Sequence, residues 1–327
     1  MKIGKALSAA AMGVFLGFAL TAPVSAVEVD SKLADYKAVS GVSGKIKSIG
    51  SDTLNNLMAL WSEGYRSNYP GVQIEIEGKG STTAPPALIE GTAQFGPMSR
   101  EMKSEEEGAF EKKHGYKPAR ARVAVDALAV FVHKDNPIKG LTLQQLDAIF
   151  SKTRKGGFAK EIKTWGDLGL TGEWADKPIS LYGRNSASGT YGYFKEVALF
   201  KGDYKDQVKE QPGSSAVIQG VASDKYAIGY SGVGYKTADV RTVPLASKEG
   251  QPYYDADAKN AYSGDYPLAR FLYIYLNKNP NQELDPLRKE FIKYVFSKQG
   301  QQIVVKDGFY PVSSEIAQKD MAALGIK

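Results

Sequence analysis

The sequence predicts a two-lobed α/β protein. Segments that alternate apolar and polar residues, as strands do, are repeatedly followed by segments with helical spacing of apolar residues. The chain has 327 residues, which exceeds one ordinary domain and allows a sizeable core in each of two lobes. Several strands end in short turns rich in glycine, serine and threonine, at the edge where open α/β sheets bind ligands.

The first 26 residues predict a secretory signal peptide. Lys2 and Lys5 precede an apolar run over residues 6–20, and the small-residue pattern VSA predicts cleavage after Ala26. A membrane anchor is less well supported, because the run is shorter than the roughly 20 residues that span a bilayer. We therefore expect a soluble periplasmic protein of 301 residues, which remain when 26 are removed from 327.

The composition excludes several classes of function. The chain has no cysteine, which excludes disulfides and thiol catalysis. Loss of Lys2 and Lys5 leaves 40 basic against 36 acidic residues, a net charge of +4. The two signs are interspersed, as in KSEEEGAFEKK, and this argues against nucleic acid as the main partner.

Two strand–turn–helix units are predicted at the start of the mature chain. Residues 45–49 alternate like a strand, GSDT follows, and residues 54–65 place apolar side chains at helical spacing. Residues 72–78 alternate in the same way, GSTT follows, and two prolines lie where a first helical turn tolerates them. Residues 27–42 are polar and aperiodic, which predicts a loose leader.

The middle of the chain continues the alternation of strands and helices. A long strand over residues 121–135 precedes a helix opened by Thr142, with Gln145 at capping-box spacing. A further strand ends before Arg184, and helical spacing follows through Phe200. Three more segments complete this part: a helix over 215–224, a strand over 226–235 and a strand-like run over 240–246.

Two segments are predicted to cross between the lobes, residues 121–133 and 240–246. The last part of the chain holds a strand over 271–277 and a long helix from Pro286 to Gly300. These crossings predict three regions: residues 1–26 as signal peptide, residues 43–129 plus 247–327 as lobe 1, and residues 130–246 as lobe 2. The cleft between the lobes is then the expected functional place.

Three strand-to-helix turns share one chemistry, at residues 50–53, 80–83 and 184–190, and a fourth places Ser99 and Arg100 after a short apolar run. The first amides of a helix lack internal partners and carry the positive end of its dipole, so each turn can hold an anion. Hydroxyls add donors, and arginine adds a planar charged fork. A single such turn is more often only a helix cap. Several together favour a tetrahedral oxyanion between the lobes.

The runs IGSDTLNNLMALW, GSTTAPPALIEGTAQFGPMSRE and GRNSASGTYGYF are similar to those of a known family. The chain resembles the PstS family of periplasmic phosphate-binding proteins, the receptors of Pst-type ABC importers. DALAVFVHKDNP, AIGYSGVGY, YPLARFLYIYLNK and KDGFYPV extend the resemblance in the right order over nearly all the mature chain. It implies a type II periplasmic-binding-protein fold, whose two α/β lobes, joined by two crossing segments, close on one phosphate.

The resemblance also implies the residues of a phosphate site. The family's R-x-x-x-S-G-T motif falls on residues 184–190, its first glycine-rich turn on residues 51–53, and its second on Ser81. With the fourth turn, the expected phosphate-binding residues are Ser51, Asp52, Thr53, Ser81, Ser99, Arg100, Arg184, Ser188, Gly189 and Thr190.

One position departs from the family's pattern. Many members have Ser-Asp where this chain has Ser99 and Arg100, and that aspartate accepts the proton of the bound phosphate. We expect Asp52 to take over, because phosphate still carries a proton near neutral pH and sulfate does not. A hydrogen bond to a charged group of this kind is worth about 1.5–3 kcal/mol. The alternative for Asp52 is a role as helix cap alone.

Catalysis is the alternative from another functional class. An exported hydrolase or phosphatase could use a serine-rich turn, but neither RNSASGT nor GYSGVGY fits G-x-S-x-G, and a Ser-His-Asp triad could use only His114 or His133. The sequence has no catalytic metal motif and no nucleotide-binding loop. Within binding proteins, the alternative ligands are sulfate, molybdate or an organic phosphate. An adhesin or matrix protein is a weaker alternative.

The most consistent interpretation is a binding protein and not an enzyme. We expect it to capture inorganic phosphate in the periplasm and to deliver it to the permease subunits of an ABC importer. No cofactor, metal or nucleic acid is expected. The mature chain is expected to be a monomer that does not span the membrane.

Overall fold

The computed structural model describes residues 27–326, so the predicted signal peptide, residues 1–26, lies outside the described residues. Strands and helices alternate along this part of the chain. The strands are β1 Gly44–Gly50, β2 Val72–Gly78, β3 Gly96–Met98, β4 Ala119–His133, β5 Leu141–Thr142, β6 Ser180–Arg184, β7 Lys209–Gln211, β8 Ala227–Gly232, β9 Val240–Thr242, β10 Leu245–Ala246 and β11 Ala269–Leu276. The helices are α1 Asn55–Arg66, α2 Ala84–Ile89, α3 Ser104–His114, α4 Leu143–Phe150, α5 Gly189–Val197, α6 Ser214–Ser223, α7 Ala258–Ser263, α8 Pro286–Val295, α9 Lys298–Lys306 and α10 Ser314–Ala323.

A mixed sheet forms the centre of the molecule. Its strand order is β3-β11-β4-β8-β6-β7, and β9 also pairs with β4. β6 runs parallel to β7 and β8, whereas β4 runs antiparallel to β8, β9 and β11. β1 and β2 form a parallel pair, and an isolated bridge from Ser48 to Phe95 connects β1 to the segment that leads into β3. The predicted α/β architecture is confirmed.

β4 is 15 residues long and runs through the two larger hydrophobic cores. Its first half pairs with β11, from Ala119 opposite Leu276 to Ala127 opposite Ala269. Its second half pairs with β8 and β9. The first core contains Ala121, Val123, Leu57, Trp61 and Phe291. The second contains residues 127–132 of β4 with Phe150, Phe194 and Tyr230. β4 therefore connects the two cores without a break.

The segment 240–246, predicted as the second crossing, packs in the second core. β9 pairs with the last residues of β4, and Val243 and Leu245 are buried in that core. Residues further along the chain, Tyr266 and Leu268, belong to the same core. We therefore propose that the chain returns to the first lobe along β11, later than the predicted boundary at residue 246.

Two local expectations differ from the structure. The helix expected from Pro286 to Gly300 is divided into α8 and α9, because the Ser297 hydroxyl accepts the amide of Gly300 at 3.1 Å and caps a new helix. The expected loose leader is packed against the first core: Leu33 is buried, and the hydroxyl of Tyr36 lies 2.7 Å from that of Tyr69. Within residues 27–326, no helix combines the length and apolar character that crossing a bilayer requires.

Candidate functional site

Three buried serines meet at the ends of β1 and β3 and before α2. Ser51 caps a short 3₁₀ helix over Asp52–Leu54, and its hydroxyl accepts the amide of Thr53 at 3.2 Å. The same hydroxyl donates to Ser99 Oγ at 3.0 Å. The amide of Ser99 donates to Ser81 Oγ at 3.0 Å, and the two Oγ atoms lie 3.3 Å apart. These hydroxyls satisfy one another and stay out of contact with solvent.

The N-terminus of α5 closes this serine cluster from the second lobe. Ser188 caps α5, and its hydroxyl accepts the amides of Thr190 at 3.1 Å and Tyr191 at 3.3 Å. Gly189 lies so close to the cluster that a methyl group there would collide with Ser81 Oγ and come within 2.7 Å of Ser99 Oγ. The positive end of the α5 dipole therefore points at a set of buried hydroxyls.

The two lobes touch directly around this place. Thr53 Oγ1 lies 3.0 Å from Thr190 Oγ1. The amide and hydroxyl of Thr82 donate to the carbonyl oxygen of Ala187 at 3.2 and 3.1 Å. Gly80 has a φ of +118°, a conformation that favours glycine, and a side chain there would collide with Ala187. The structure is therefore that of a closed cleft.

Arg184 ends β6 with a guanidinium that is almost completely buried, since the residue is 1% exposed. Its Nη1 donates to Ser214 Oγ at 2.7 Å and lies 3.3 Å from Asp52 Oδ2, while Nη2 donates to the carbonyl of Pro212 at 3.1 Å. Nε is buried and has no hydrogen-bond partner within the described residues. Burial lowers the pKa of Arg184, and the carboxylate of Asp52 opposes that shift. An arginine stays charged regardless, so a buried donor is free for an anion.

Arg100 does not join this cluster. Its guanidinium forms a two-point ion pair with Glu106 in α3, with both N–O distances 2.7 Å. Glu106 also accepts the amide of Lys103, at 2.8 Å. The carboxylate that caps the start of α3 thus holds Arg100 away from the serines. The other nine expected residues are brought together or lie directly beside the cluster.

A second buried arginine, Arg270, adjoins the cluster and was missed from sequence. It lies in β11 opposite Asp126 of β4, and its Nε and Nη2 donate to Asp126 Oδ2 at 3.0 and 2.8 Å. Its Nη1 donates to the carbonyl of Ser99 at 2.8 Å, and Nη2 donates to Thr190 Oγ1 at 3.0 Å. Arg270, which is paired with Asp126 between β4 and β11, therefore contacts the turn at Ser99 in the first lobe and the start of α5 at Thr190 in the second lobe. An arginine inside the apolar run YPLARFLYIYL is the signal that could have found it.

Known proteins share both the sequence and the fold. A model of the PBP superfamily domain matches residues 36–299. The chain is 58% identical over 322 residues to the phosphate-binding protein PstS of Pseudomonas aeruginosa, covering 98% of this chain and 99% of that protein. The chain belongs to the PstS family. PstS of Bacillus subtilis is 27% identical to the chain described here, over 98% of each of the two proteins.

Solved structures agree with this PstS-family assignment. A putative phosphate ABC transporter substrate-binding protein from Clostridium perfringens, solved with bound phosphate, has a TM-score of 0.70 and 27% identity, covering 83% of this chain and 100% of that one. An ABC-type phosphate transport receptor from Vibrio cholerae shares the fold, with a TM-score of 0.63 and 22% identity over 82% of this chain and all of that one.

The catalytic alternative has no support in this PstS-family chain, whose relatives are binding proteins. His114 contacts the carbonyl of Ile89 at 3.1 Å, and His133 accepts the amide of Asp135 at 3.2 Å, so both make their polar contacts elsewhere. Across residues 27–326, no three His, Cys, Asp or Glu side chains are grouped so that they could hold a metal ion.

Proposed function

We propose that this protein binds inorganic phosphate in the closed cleft and delivers it to an ABC importer. The observation that carries this proposal is the buried guanidinium of Arg184, whose Nε has no hydrogen-bond partner within the described residues, in a closed cleft that also contains buried hydroxyls from both lobes. A buried guanidinium donor and the first amides of a helix suit a ligand whose oxygens mainly accept hydrogen bonds. The 58% identical relative named as phosphate-binding supports phosphate as the anion.

The proposed site is described by its donors. Hydroxyls and helix amides come from both lobes, and Arg184 supplies the formal charge. The proposed phosphate-binding residues are Ser51, Thr53, Ser81, Ser99, Arg184, Ser188, Gly189 and Thr190. We propose that Arg270, through Thr190, supplies the second positive charge that the sequence had suggested for Arg100.

Charge compensation at this site is indirect. Arg184 lies beside Asp52, and Arg270 is paired with Asp126, so each cation already has a carboxylate neighbour. A bound dianion is then stabilised mainly by oriented amide and hydroxyl dipoles, which are effective because the site is closed to water. Each donor left unpaired costs about 1–3 kcal/mol, so a good fit to a tetrahedral ligand is required.

Calorimetric titration of the purified mature protein tests the proposal. We expect one phosphate to bind per chain, with a far weaker response to sulfate and molybdate. Equal binding of sulfate would indicate a general oxyanion receptor, and no heat with phosphate would refute the function. The titration also separates the alternatives within binding proteins, since the same sample meets each anion in turn.

The remaining expectations concern the setting of the protein. We propose that residues 1–26 direct export and are removed, that the mature chain acts in the periplasm, and that it is a monomer whose lobe surfaces dock on the permease. Mass spectrometry of the protein recovered from the periplasm would identify the first residue, and light scattering would measure the oligomeric state. A start other than residue 27 or a stable dimer would overturn these two expectations.

A further inference from the structure

Helix α6 begins without a cap from its own lobe. Its N-cap residue is Gly213, which has no side chain to accept the first amides. The helix itself is firmly placed, since Val217, Ile218 and Val221 are buried in the second core. Helices whose first amides lack a partner lose stability, so the cap has to come from elsewhere.

The missing cap is supplied by the other lobe. The amide of Ser214, the first residue of α6, donates to Asp52 Oδ2 at 2.7 Å, although the two residues are 162 positions apart. Asp52 lies in the turn after β1, whose neighbours Ile46, Leu54 and Leu57 belong to the first core. A carboxylate at this end of a helix is favoured by both the hydrogen bond and the dipole.

The same carboxylate contacts Arg184. Oδ2 lies 3.3 Å from Arg184 Nη1, and Nη1 also donates to Ser214 Oγ at 2.7 Å. Asp52, Arg184 and Ser214 thus form a triangle with one corner in the first lobe and two in the second. Tyr235 also contacts this turn. Its hydroxyl donates to the carbonyl oxygen of Asp52 at 3.0 Å and to that of Thr53 at 3.1 Å.

The contacts of Asp52 with Ser214 and Arg184 join the two lobes across the closed cleft. We propose that Asp52 is a positioning residue that holds the closed lobes together by capping α6 and restraining Arg184, rather than the group that accepts the ligand's proton. Its Oδ2 is already engaged by two donors of the second lobe. The role rests on the proposed function, because it concerns the closure that retains phosphate. It predicts that Asp52 governs how long any anion is held and not which anion is chosen.

The chain offers a matched control. Asp285 caps α8, which has ten residues like α6, and it also pairs with an arginine, Arg288. Its cap lies within a single lobe. Asp285→Ala therefore removes the same kind of interactions without affecting contacts across the cleft.

The experiment compares Asp52→Ala, Asp52→Asn and Asp285→Ala by stopped-flow release of phosphate, by competition with sulfate and by thermal unfolding. We expect Asp52→Ala to release phosphate at least about tenfold faster and to weaken sulfate by the same factor, since hydrogen bonds to charged groups are worth about 1.5–3 kcal/mol. Asp52→Asn keeps a cap oxygen but loses the charge, so its release rate should lie between. Asp285→Ala should lower the melting temperature and leave the release rate unchanged.

Two outcomes would overturn the proposal. If Asp52→Ala released phosphate within about twofold of the parent's rate, Asp52 would have no role in holding the lobes closed. If the variant lost discrimination between phosphate and sulfate, the carboxylate of Asp52 would contact the ligand directly. Small-angle scattering of the ligand-free proteins tests the role of Asp52 independently of phosphate binding. A larger radius of gyration for Asp52→Ala than for the parent supports the cap from Asp52 to α6, even if the parent fails to bind phosphate. An unchanged radius together with unchanged release rejects it.

Discussion

Replacing Gly189 by alanine should abolish tight binding while leaving the fold intact. The added methyl group would collide with Ser81 Oγ and lie 2.7 Å from Ser99 Oγ when the lobes close. Neither serine can retreat easily, because both are buried and the Ser99 amide already holds Ser81 Oγ at 3.0 Å. The collision therefore acts on closure and not on the structure of either lobe.

The size of the effect follows from the donors that would be displaced. If the two serines lose their hydrogen bonds to a charged ligand at about 1.5 kcal/mol each, binding weakens by about 3 kcal/mol, or roughly 150-fold. The free energy of unfolding should not fall, because Gly189 is in α5 and alanine is the better helix former.

Calorimetry with phosphate and thermal unfolding would measure the two quantities on the same preparation. Gly192→Ala is the matched control: it lies in the same helix, and its new methyl group would meet Arg100 at ordinary contact distances, 3.5 Å to Cδ and 3.7 Å to Nε. It should bind as the parent does. If Gly189→Ala bound phosphate within about threefold of the parent, the serine cluster would not be where the ligand is held.

Three further predictions concern charged residues. Arg184→Ala should weaken phosphate binding by about 100-fold and Ser51→Ala by about fivefold, because a charged donor contributes more than a hydroxyl; calorimetry that ranked them in the opposite order would contradict the site. Asp126→Ala leaves the buried Arg270 without its counter-charge, so urea denaturation should show a loss of about 3–5 kcal/mol in the free energy of unfolding, and a loss below about 1 kcal/mol would contradict this reasoning. Burial raises the pKa of Asp307 to about 6. Between about pH 4 and pH 6 the carboxyl of Asp307 is therefore protonated in the folded protein and ionised in the unfolded chain. The free energy of unfolding falls as the pH rises through this range. Asp307→Asn should raise the melting temperature relative to the parent at about pH 7.5 and not at about pH 4; equal shifts at both would exclude this origin.

Features that depend on near neighbours in the chain could be predicted from sequence. Ser51 and Ser188 cap the turns that follow them through amides two or three positions away, and Thr142 forms the expected capping box with Gln145. Local spacing contains all that such contacts require. The fold class follows from the same patterns, because several strands and helices show the period of their own type.

Contacts between distant parts of the chain could not be predicted in this way. Arg270 meets Asp126 across 144 positions and Thr190 across 80, so nothing near it in sequence indicates its partners. Arg100 is a case closer in sequence. It follows Ser99 directly, and in the structure its guanidinium is paired with Glu106, six positions further along the chain.

The course of residues 240–246 also depends on a contact between distant parts of the chain. These residues have the composition of a crossing strand, and β9 pairs with the second half of β4. Composition alone does not separate a strand that crosses to the other lobe from one that pairs within its own lobe. The difference lies in which strand it pairs with. The helix break at Ser297 was, in contrast, within reach, because Ser297 and Gly300 have the spacing of a cap.

The continuous course of β4 through both cores has a consequence for how this protein comes apart. Ala121, Val123 and Ala124 are buried in one core and residues 127–132 in the other, with no linker between them. Fraying of the strand in one half removes ladder partners from the adjoining half. Heat or denaturant should therefore melt both halves in a single cooperative transition, and the molecule gains mobility about its cleft without containing two independently stable units.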